Sequence, residues 1–289
     1  MLWLQLTLTG LQTGALYALT AVGFSLIFGA TRVFHFAHGA AFVLAAYVFY
    51  WVDTAGLGMI PGIVLAALAA MAFGVAMDRL VYAPIQRHEG SFFTVFVASF
   101  GVGIAVQNIV GMVFGRGFVT MNSTLSRSRE IVDGVYVAPL AWIAIACAAV
   151  FFALLQFFLR RTHTGMALRA LADSPELIRV YGLDPRRLSS YAFALGSVLV
   201  VPGAVITALG SGLNPALGHH VMLISLAATI VGGIGSIGGA LVAGFVLGLA
   251  ENLALIFFQS QWTEAVTFAI LFLVILLRPS GLFGRAAAH

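Results

Sequence analysis

Apolar residues fall into eight runs separated by short polar stretches, near 8–29, 40–52, 59–80, 92–114, 139–159, 189–210, 221–258 and 262–277. A bilayer core is about 30 Å thick and takes about 20 helical residues per crossing. Most of the runs fit a single crossing. The run at 40–52 is too short to cross alone and is expected to join the irregular stretch from Thr31 to Gly39 as a broken helix. The run at 221–258 is too long for one helix, and glycines between Gly232 and Gly239 interrupt it. The pattern predicts an all-α, polytopic integral membrane protein of about eight transmembrane helices. It forms a single membrane domain over 1–289, with broken or re-entrant segments near 30–52 and 221–258.

Composition sharpens the picture. Of the 289 residues 61% are hydrophobic and only 8% are charged, with a mean hydropathy of +1.06. Soluble domains carry about 25% charged residues, so this chain has too few to cover a water-facing surface. All 14 basic residues are arginine. Without lysine there can be no Walker A loop, no Schiff-base lysine and no Ser-x-x-Lys nucleophile. Any ATP-driven step therefore needs another polypeptide. Cys147 is the single cysteine, which rules out an internal disulfide, a Cys-x-x-Cys redox pair and a cysteine-built zinc site. The formal charge of +4 does not point to nucleic acid, because the arginines sit between apolar runs, where positive charge orients a membrane protein. The first positive residue is Arg32, so the N-terminus lacks the charge pattern of a signal peptide and is expected to remain as the first span.

Charge placement predicts the orientation. Arg160, Arg161, Arg169, Arg179, Arg186 and Arg187 cluster between two apolar runs, against Asp173, Glu176 and Asp184. The linker 115–138 has no such cluster. The positive-inside rule makes the first cytoplasmic and the second periplasmic. Arg79, Arg87 and the tail with Arg278 and Arg285 are then cytoplasmic too, which requires 221–258 to cross and return, or nearly so. Arg32 falls inside and the N-terminus outside. Within the cytoplasmic segment Ser174 suits an N-cap, Pro175 the first helical position and Glu176 the positive helix end. Gly182 suits the C′ position, with Pro185 beyond it. This predicts a helix over about 175–181, too short to stand alone in water. Leu177, Ile178, Val180 and Tyr181 are available to dock it, on a protein partner or on anionic headgroups.

Gly233-Ile-Gly235-Ser-Ile-Gly238 matches the dinucleotide-binding pattern, but that pattern works only between a strand and a helix of a soluble unit. Between apolar helices, glycine instead permits close approach or a helix break at a cavity. A second break falls at Arg32-Val-Phe-His-Phe-Ala-His-Gly39. Interrupted segments in two halves point to a transport pathway, where half-helix N-termini can face a carboxylate; two unrelated packing kinks are the plainer account. His35 and His38 have no acidic residue nearby for a metal, which leaves helix packing or a pathway role. His219 and His220, in a turn with Asn214 and Pro215, read as a solvated periplasmic loop. Glu251 stands inside an apolar run, where a charge costs roughly 2.5–3.5 kcal/mol, so it needs a partner or a wet cavity. Gln107, Asn108 and Asn252 suit hydrogen bonds between helices. No nucleophile–base pair or carboxylate dyad appears, so no catalytic residue and no metal ligand is assigned.

The stretch Arg32-Val-Phe-His-Phe-Ala-His-Gly39 resembles the Asn-Phe-Ala-His-Gly signature of branched-chain amino acid ABC transporter permeases of the LivH type. Thr164-Gly165-Met-Ala-Leu-Arg169-Ala170-Leu-Ala-Asp173, followed by Tyr-Gly182-Leu, looks like that family's cytoplasmic loop. Val231-Gly232-Gly233-Ile-Gly235-Ser236-Ile-Gly-Gly239-Ala240 and Leu247-Gly248-Leu-Ala-Glu251 are similar to its late glycine-rich segment and glutamate. The tail Leu277-Arg278-Pro279-Ser-Gly281-Leu-Phe283-Gly284 is similar as well. These four ordered motifs span nearly the whole chain.

The resemblance implies a multi-pass subunit in a bacterial inner membrane, a transport protein and not an enzyme, without a cofactor. It would form the pathway for branched-chain amino acids or a related small polar solute. The implied partners are a second permease, homologous or identical, two cytoplasmic ATPases and a periplasmic binding protein, with no nucleic acid. The 160–188 loop would couple to the ATPases, through Gly165, Arg169, Ala170, Asp173, Glu176 and Gly182. The pathway expectation falls on His35, His38, Gly39, Asn108, Gly233, Gly235, Ser236 and Glu251. His35 stands where the family usually has Asn, which leaves urea, short amides, other amino acids and aromatic acids open as substrates. The rival reading is a self-sufficient ion-coupled secondary transporter or channel working through Glu251 and the broken helices. It leaves the capped cytoplasmic helix unexplained.

Overall fold

The computed structural model describes residues 1–284 except Glu89, Asn122 and Asp133; Arg285, expected in the tail, lies outside the described residues. In chain order come α1 (Leu2–Thr31), α2 (His38–Thr54) and α3 (Met59–Ala76), which runs through a π-helical turn (Met77–Tyr82) into α4 (Ala83–Arg87). Next are α5 (Phe92–Phe114), the hairpin strands β1 (Arg129–Val132) and β2 (Val135–Val137), and α6 (Pro139–Arg161). Then follow α7 (His163–Asp173), α8 (Pro175–Val180), α9 (Pro185–Val198) and α10 (Val201–Gly210). The chain ends in α11 (Leu217–Gly232), α12 (Ile237–Ala254) and α13 (Thr263–Leu277).

Seven helical stretches are long and apolar enough to cross a membrane: α1, α3–α4, α5, α6, α9–α10, α12, and Ser260–Leu277, which contains α13. The all-α polytopic expectation therefore holds, with one small antiparallel hairpin that the pattern did not predict. The run at 40–52 is a separate helix, α2, of 17 residues. The run at 221–258 is a hairpin of α11, 16 residues long, and α12, 18 residues long, turning at Gly233–Ser236. The chain reverses there, with α12 long enough to cross and α11 a shorter apolar helix. Arg32 closes α1 in the left-handed conformation, φ 58°, and breaks the chain before α2.

α1 is the central helix, and α12, α11, α9 and α6 pack round it. Lipid tails are as apolar as leucine, so helix contact in a bilayer relies on close packing more than on expelled water. Small residues supply it. A Cβ added to Gly14 would stand 2.8 Å from the Phe245 Cα, and one added to Gly244 would stand 2.5 Å from the Ala18 Cα. By contrast the outer faces of α5, α6 and α13 expose Ile109, Met112, Leu154, Phe272 and Leu276, the side chains a membrane would solvate.

Arginines gather at one end of the bundle. Arg32 reaches α7, where its guanidinium donates to the Ala172 carbonyl at 3.3 Å, and Arg79 and Arg186 stand at the same end, beside Asp78 and Ser190. The positive-inside rule makes this the cytoplasmic end. The N-terminus lies at the other end, where Gln5 holds both the N–H and the carbonyl of Tyr136 in β2. Thr162 caps α7 through the Gly165 N–H at 3.0 Å. α8 follows over Pro175–Val180, ending where Gly182 takes φ 75° and the Leu183 N–H returns to the Ile178 carbonyl. Ile178 docks on this chain itself, in a cluster with Leu168, Leu171, Leu188 and Leu26. Val180 and Tyr181 stay exposed, at 81% and 79%. The Leu177 side chain lies outside the described residues.

The tight seam yields a paired prediction. Gly244→Val should cost at least the about 1–3 kcal/mol of an overpacked core, because the obstacle is backbone. Gly101→Ala, on α5 with no atom within 4 Å of its added Cβ, should be neutral or mildly stabilising. Thermal unfolding of the detergent-purified variants checks this; equal losses would contradict it.

Candidate functional site

At the arginine-rich end, a cavity of about 910 Å³ opens between α7, the α11–α12 turn and the C-terminal stretch. Arg32, Arg169, Ala170, Asp173, Gly235, Ser236 and Phe283 line it. The chain builds this wall with backbone bonds: the Leu282 and Phe283 N–H groups donate to the Val231 and Gly232 carbonyls at 2.8 and 3.0 Å. Ser236 caps α12 through the Gly239 N–H at 3.1 Å. Gly233 lies under the tail, where the Gly284 backbone leaves no room for a Cβ. Thus Gly233, Gly235 and Ser236, read as pathway residues, come together with the coupling residues of α7 and not with His35 or Glu251. Gly165 packs its Cα against Leu159 at the start of α7, where an added Cβ would meet the Leu159 Cα at 2.6 Å. Glu176 and Gly182 stand outside the cavity and are exposed.

Beside it lies a second cavity of about 290 Å³, lined by Asp78, Arg87, Arg179, Arg186 and Ser189 among others. Asp78 is buried in the π turn, and each of its carboxylate oxygens accepts a serine hydroxyl at 2.6 Å, from Ser189 and Ser190 of α9. A π turn widens the helix by one residue and re-aims its side chains. Sequence reading missed Asp78; the available signal was a carboxylate next to Arg79 inside an apolar run.

His35 and His38 are fully buried. His35 Nδ1 meets the Tyr82 hydroxyl at 2.7 Å, Tyr82 meets the Ser99 hydroxyl at 2.7 Å, and Ser99 accepts the Ala37 N–H at 2.9 Å. This chain ties the α1–α2 break to the π turn and to α5. His38 Nε2 bonds the Thr20 carbonyl at 2.9 Å, within α1. The two imidazoles therefore pin the start of α2 inside the protein, about 16 Å from the Thr31 end of α1 at 1.5 Å per residue. The other nitrogen of each ring meets no protein partner among the described residues.

Glu251 is also enclosed. One of its oxygens accepts the Tyr17 hydroxyl at 2.7 Å and the other accepts Thr267. Tyr17 lies 3.2 Å from His220 Nε2, and His220 Nδ1 lies 3.0 Å from Glu264. The network Thr267–Glu251–Tyr17–His220–Glu264 joins α12, α13, α1 and α11. His220, read as part of a solvated loop, is a strut of this network.

Gly39 and Asn108 belong to the opposite side of the break. Gly39 touches Gly218 at the start of α11, so the half-helix partner of α2 is α11, not α12. α5 runs beside them. Ala40, Gln107, Gly218 and His219 line a narrow crevice there, together with Phe36 and Phe100. It adjoins a cavity of about 280 Å³ with Asn108, Arg116 and Asn214.

The comparisons agree in kind. A family model described as the permease component of branched-chain amino acid transport systems matches residues 6–275. The chain is 29% identical to the high-affinity branched-chain amino acid transport system permease protein BraD of Pseudomonas aeruginosa, over 98% of this chain and 96% of that one. It is 28% identical to the permease LivH of Escherichia coli over the same shares. Among solved structures, PsaBC from Streptococcus pneumoniae in complex with Fab overlays with a TM-score of 0.52 at 11% identity. That match covers 95% of this chain and 92% of the other, and it concerns the fold alone.

Glu251→Leu strands the Thr267 hydroxyl and removes the shorter bond of Tyr17, which should cost about 1–3 kcal/mol per orphaned group. Glu251→Gln, which keeps an acceptor, should cost less. Thermal unfolding in detergent reads both; an unchanged midpoint in Glu251→Leu would remove the network as a source of stability.

Proposed function

The chain belongs to the branched-chain amino acid transport permease family, and from that premise we propose that it forms one half of the membrane pathway of an ATP-driven importer. Two cytoplasmic ATPase subunits supply the hydrolysis that a chain without lysine cannot. A second permease, homologous or identical, completes the pathway, and a periplasmic binding protein delivers the solute. Branched-chain amino acids are the favoured cargo, because the near-full-length relatives are branched-chain amino acid permeases.

One observation carries the mechanism. α7 shares an open face with the α11–α12 turn, so Arg169, Ala170 and Asp173 border Gly235 and Ser236 in one cavity, and α8 packs against α7. α7 packs on α1 and α9 as well. An ATPase that moves α7–α8 therefore pushes on the ends of three spanning elements at once. Exposed Val180 and Tyr181, with Met166 and Leu183, leave apolar surface to dock such a subunit. The pathway side of the chain is the α2–α5–α11 face, where polar Asn108, Arg116 and Asn214 interrupt an otherwise apolar surface. An exposed amide and guanidinium are costly against lipid and natural beside water or a partner permease.

The rival, ion coupling through Glu251, gains no support from geometry, since both carboxylate oxygens accept hydroxyls of the protein itself.

Replacing Arg169 or Asp173 with Ala should remove most ATP-driven uptake while the permease still inserts and unfolds at an unchanged temperature. Uptake in vesicles and thermal unfolding are measured on the same preparation. Full uptake in both variants would overturn the coupling assignment.

A further inference from the structure

The network around Glu251 joins two carboxylates through one phenol and one imidazole, with no arginine among its bonds. Glu251 is 6% exposed. Among the described residues no arginine forms an ion pair with it or with Glu264. His220 of α11 stands between them. The titratable groups facing it come from three other helices: Tyr17 from α1, Glu251 beyond Tyr17 from α12, and Glu264 from α13. On α11 itself His219 meets the Phe100 ring of α5 instead. α2 also packs on α11, but its His38 and Thr54 bond elsewhere, and its Asp53 makes no ion pair with His220.

These bonds fix the number of protons the cluster carries. An ionised carboxylate only accepts, and each imidazole nitrogen either donates or accepts. Facing an ionised Glu264 at 3.0 Å, His220 Nδ1 must carry a proton. Tyr17 has one proton for two neighbours, Glu251 at 2.7 Å and His220 Nε2 at 3.2 Å. When Tyr17 donates to Glu251, Nε2 must donate too, and the ring is an imidazolium. When Tyr17 donates to Nε2, Glu251 must be the neutral acid that donates to the Tyr17 oxygen. The two forms interconvert with atoms balanced: the Nε2 proton passes to the Tyr17 oxygen as the Tyr17 proton passes to Glu251. A neutral Glu264 that donates to Nδ1 gives a third form with the same count. Every form that satisfies all the bonds holds one proton more than a neutral imidazole beside two carboxylates. Without that proton one bond of the chain is lost, and two carboxylates share a half-buried site with no cation.

We propose that Glu251, Tyr17, His220 and Glu264 form a proton-binding site that clasps α11 to α1, α12 and α13. The proton belongs to the cluster and not to one residue. It enters from the periplasmic end, where the Glu264 side chain is 59% exposed. It is held and not carried across, because the last member, Thr267, returns the chain of bonds to α13. His220 lies two positions after Gly218, whose backbone meets Gly39 at the start of α2. The clasp therefore fixes the start of α11 beside the α2–α5–α11 face.

In an unfolded chain a histidine releases its proton at about pH 6.5. Above that the folded chain holds one proton more than the unfolded one, so stability falls as pH rises. The contribution is complete below about pH 6.5 and is lost once the clasp itself deprotonates. Thermal unfolding of the full-length chain in lipid nanodiscs, followed from about pH 6 to about pH 9, tests this. Relative to Glu264→Gln, the wild-type midpoint should fall by roughly 2–5 °C per pH unit across part of that range. The amide of Glu264→Gln can donate to Nδ1, so a neutral His220 donates from Nε2 to Tyr17 and no extra proton is needed. That variant should have the flatter profile and should unfold no lower than the wild type at the alkaline end. His220→Gln, which has no titrating ring, should be flatter as well and should unfold below the wild type at the acid end. Parallel profiles for the wild type and Glu264→Gln would overturn the site, and so would a wild-type slope retained in His220→Gln. Glu264 is exposed, so its variant keeps the test decisive even where His220→Gln does not fold.

Discussion

The close approach of α1 to α12 is the contact on which the rest of this molecule depends. In a bilayer two helices gain little by hiding apolar surface from each other, so they hold together where small residues let backbones touch. Gly14 against Phe245 and Gly244 against Ala18 provide that touch along the seam. α1 then becomes the post against which other helices are positioned. Near its middle it carries the Thr20 carbonyl that receives His38 and the Tyr17 hydroxyl that receives Glu251. At its inner end Gly29 and Arg32 border the cavity that α7 shares with the glycine turn.

Polar side chains inside this bundle divide into two kinds. Asp78, His35, Tyr82, Ser99 and Glu251 find partners in the protein, and each joins elements that apolar packing alone would leave free to slide. Unsatisfied polar groups are expensive in an apolar interior, so such bonds fix register as well as adding stability. Gln107, Asn108 and Arg116 are different: Asn108 and Arg116 bond each other, and all three line open space. They cluster on one face of α5 and at its end, near the start of α11. The first kind builds the scaffold. The second kind marks where a solute passes under the proposal made above.

Much of this architecture was legible from the chain. Apolar runs gave the spans, arginine placement gave the two ends, and Pro175 with Gly182 gave the short helix α8 almost to the residue. The glycines between Gly232 and Gly239 gave the break in 221–258, but not what they pack against. Gly233 and Gly235 form a turn pressed against the tail, a contact that hydropathy does not carry. The matching half-helix start lies at Ala216, hidden because Pro215 and two histidines read as a solvated turn. His220 is tied to Tyr17, 203 positions away in sequence, and no local pattern carries that pairing. The π turn at Met77–Tyr82 was equally silent. It leaves no composition signal, yet it aims Asp78 and Tyr82 inward.

The central claim is that α7, with α8 packed against it, transmits work done by another polypeptide to the spans beside the shared cavity. Gentle-detergent purification of this chain from its native membrane, with mass spectrometry of what accompanies it, tests that most directly. The account predicts co-purifying ATPases that carry a Walker A lysine, together with a second permease. A chain that emerges alone and still moves solute in vesicles without ATP would contradict it.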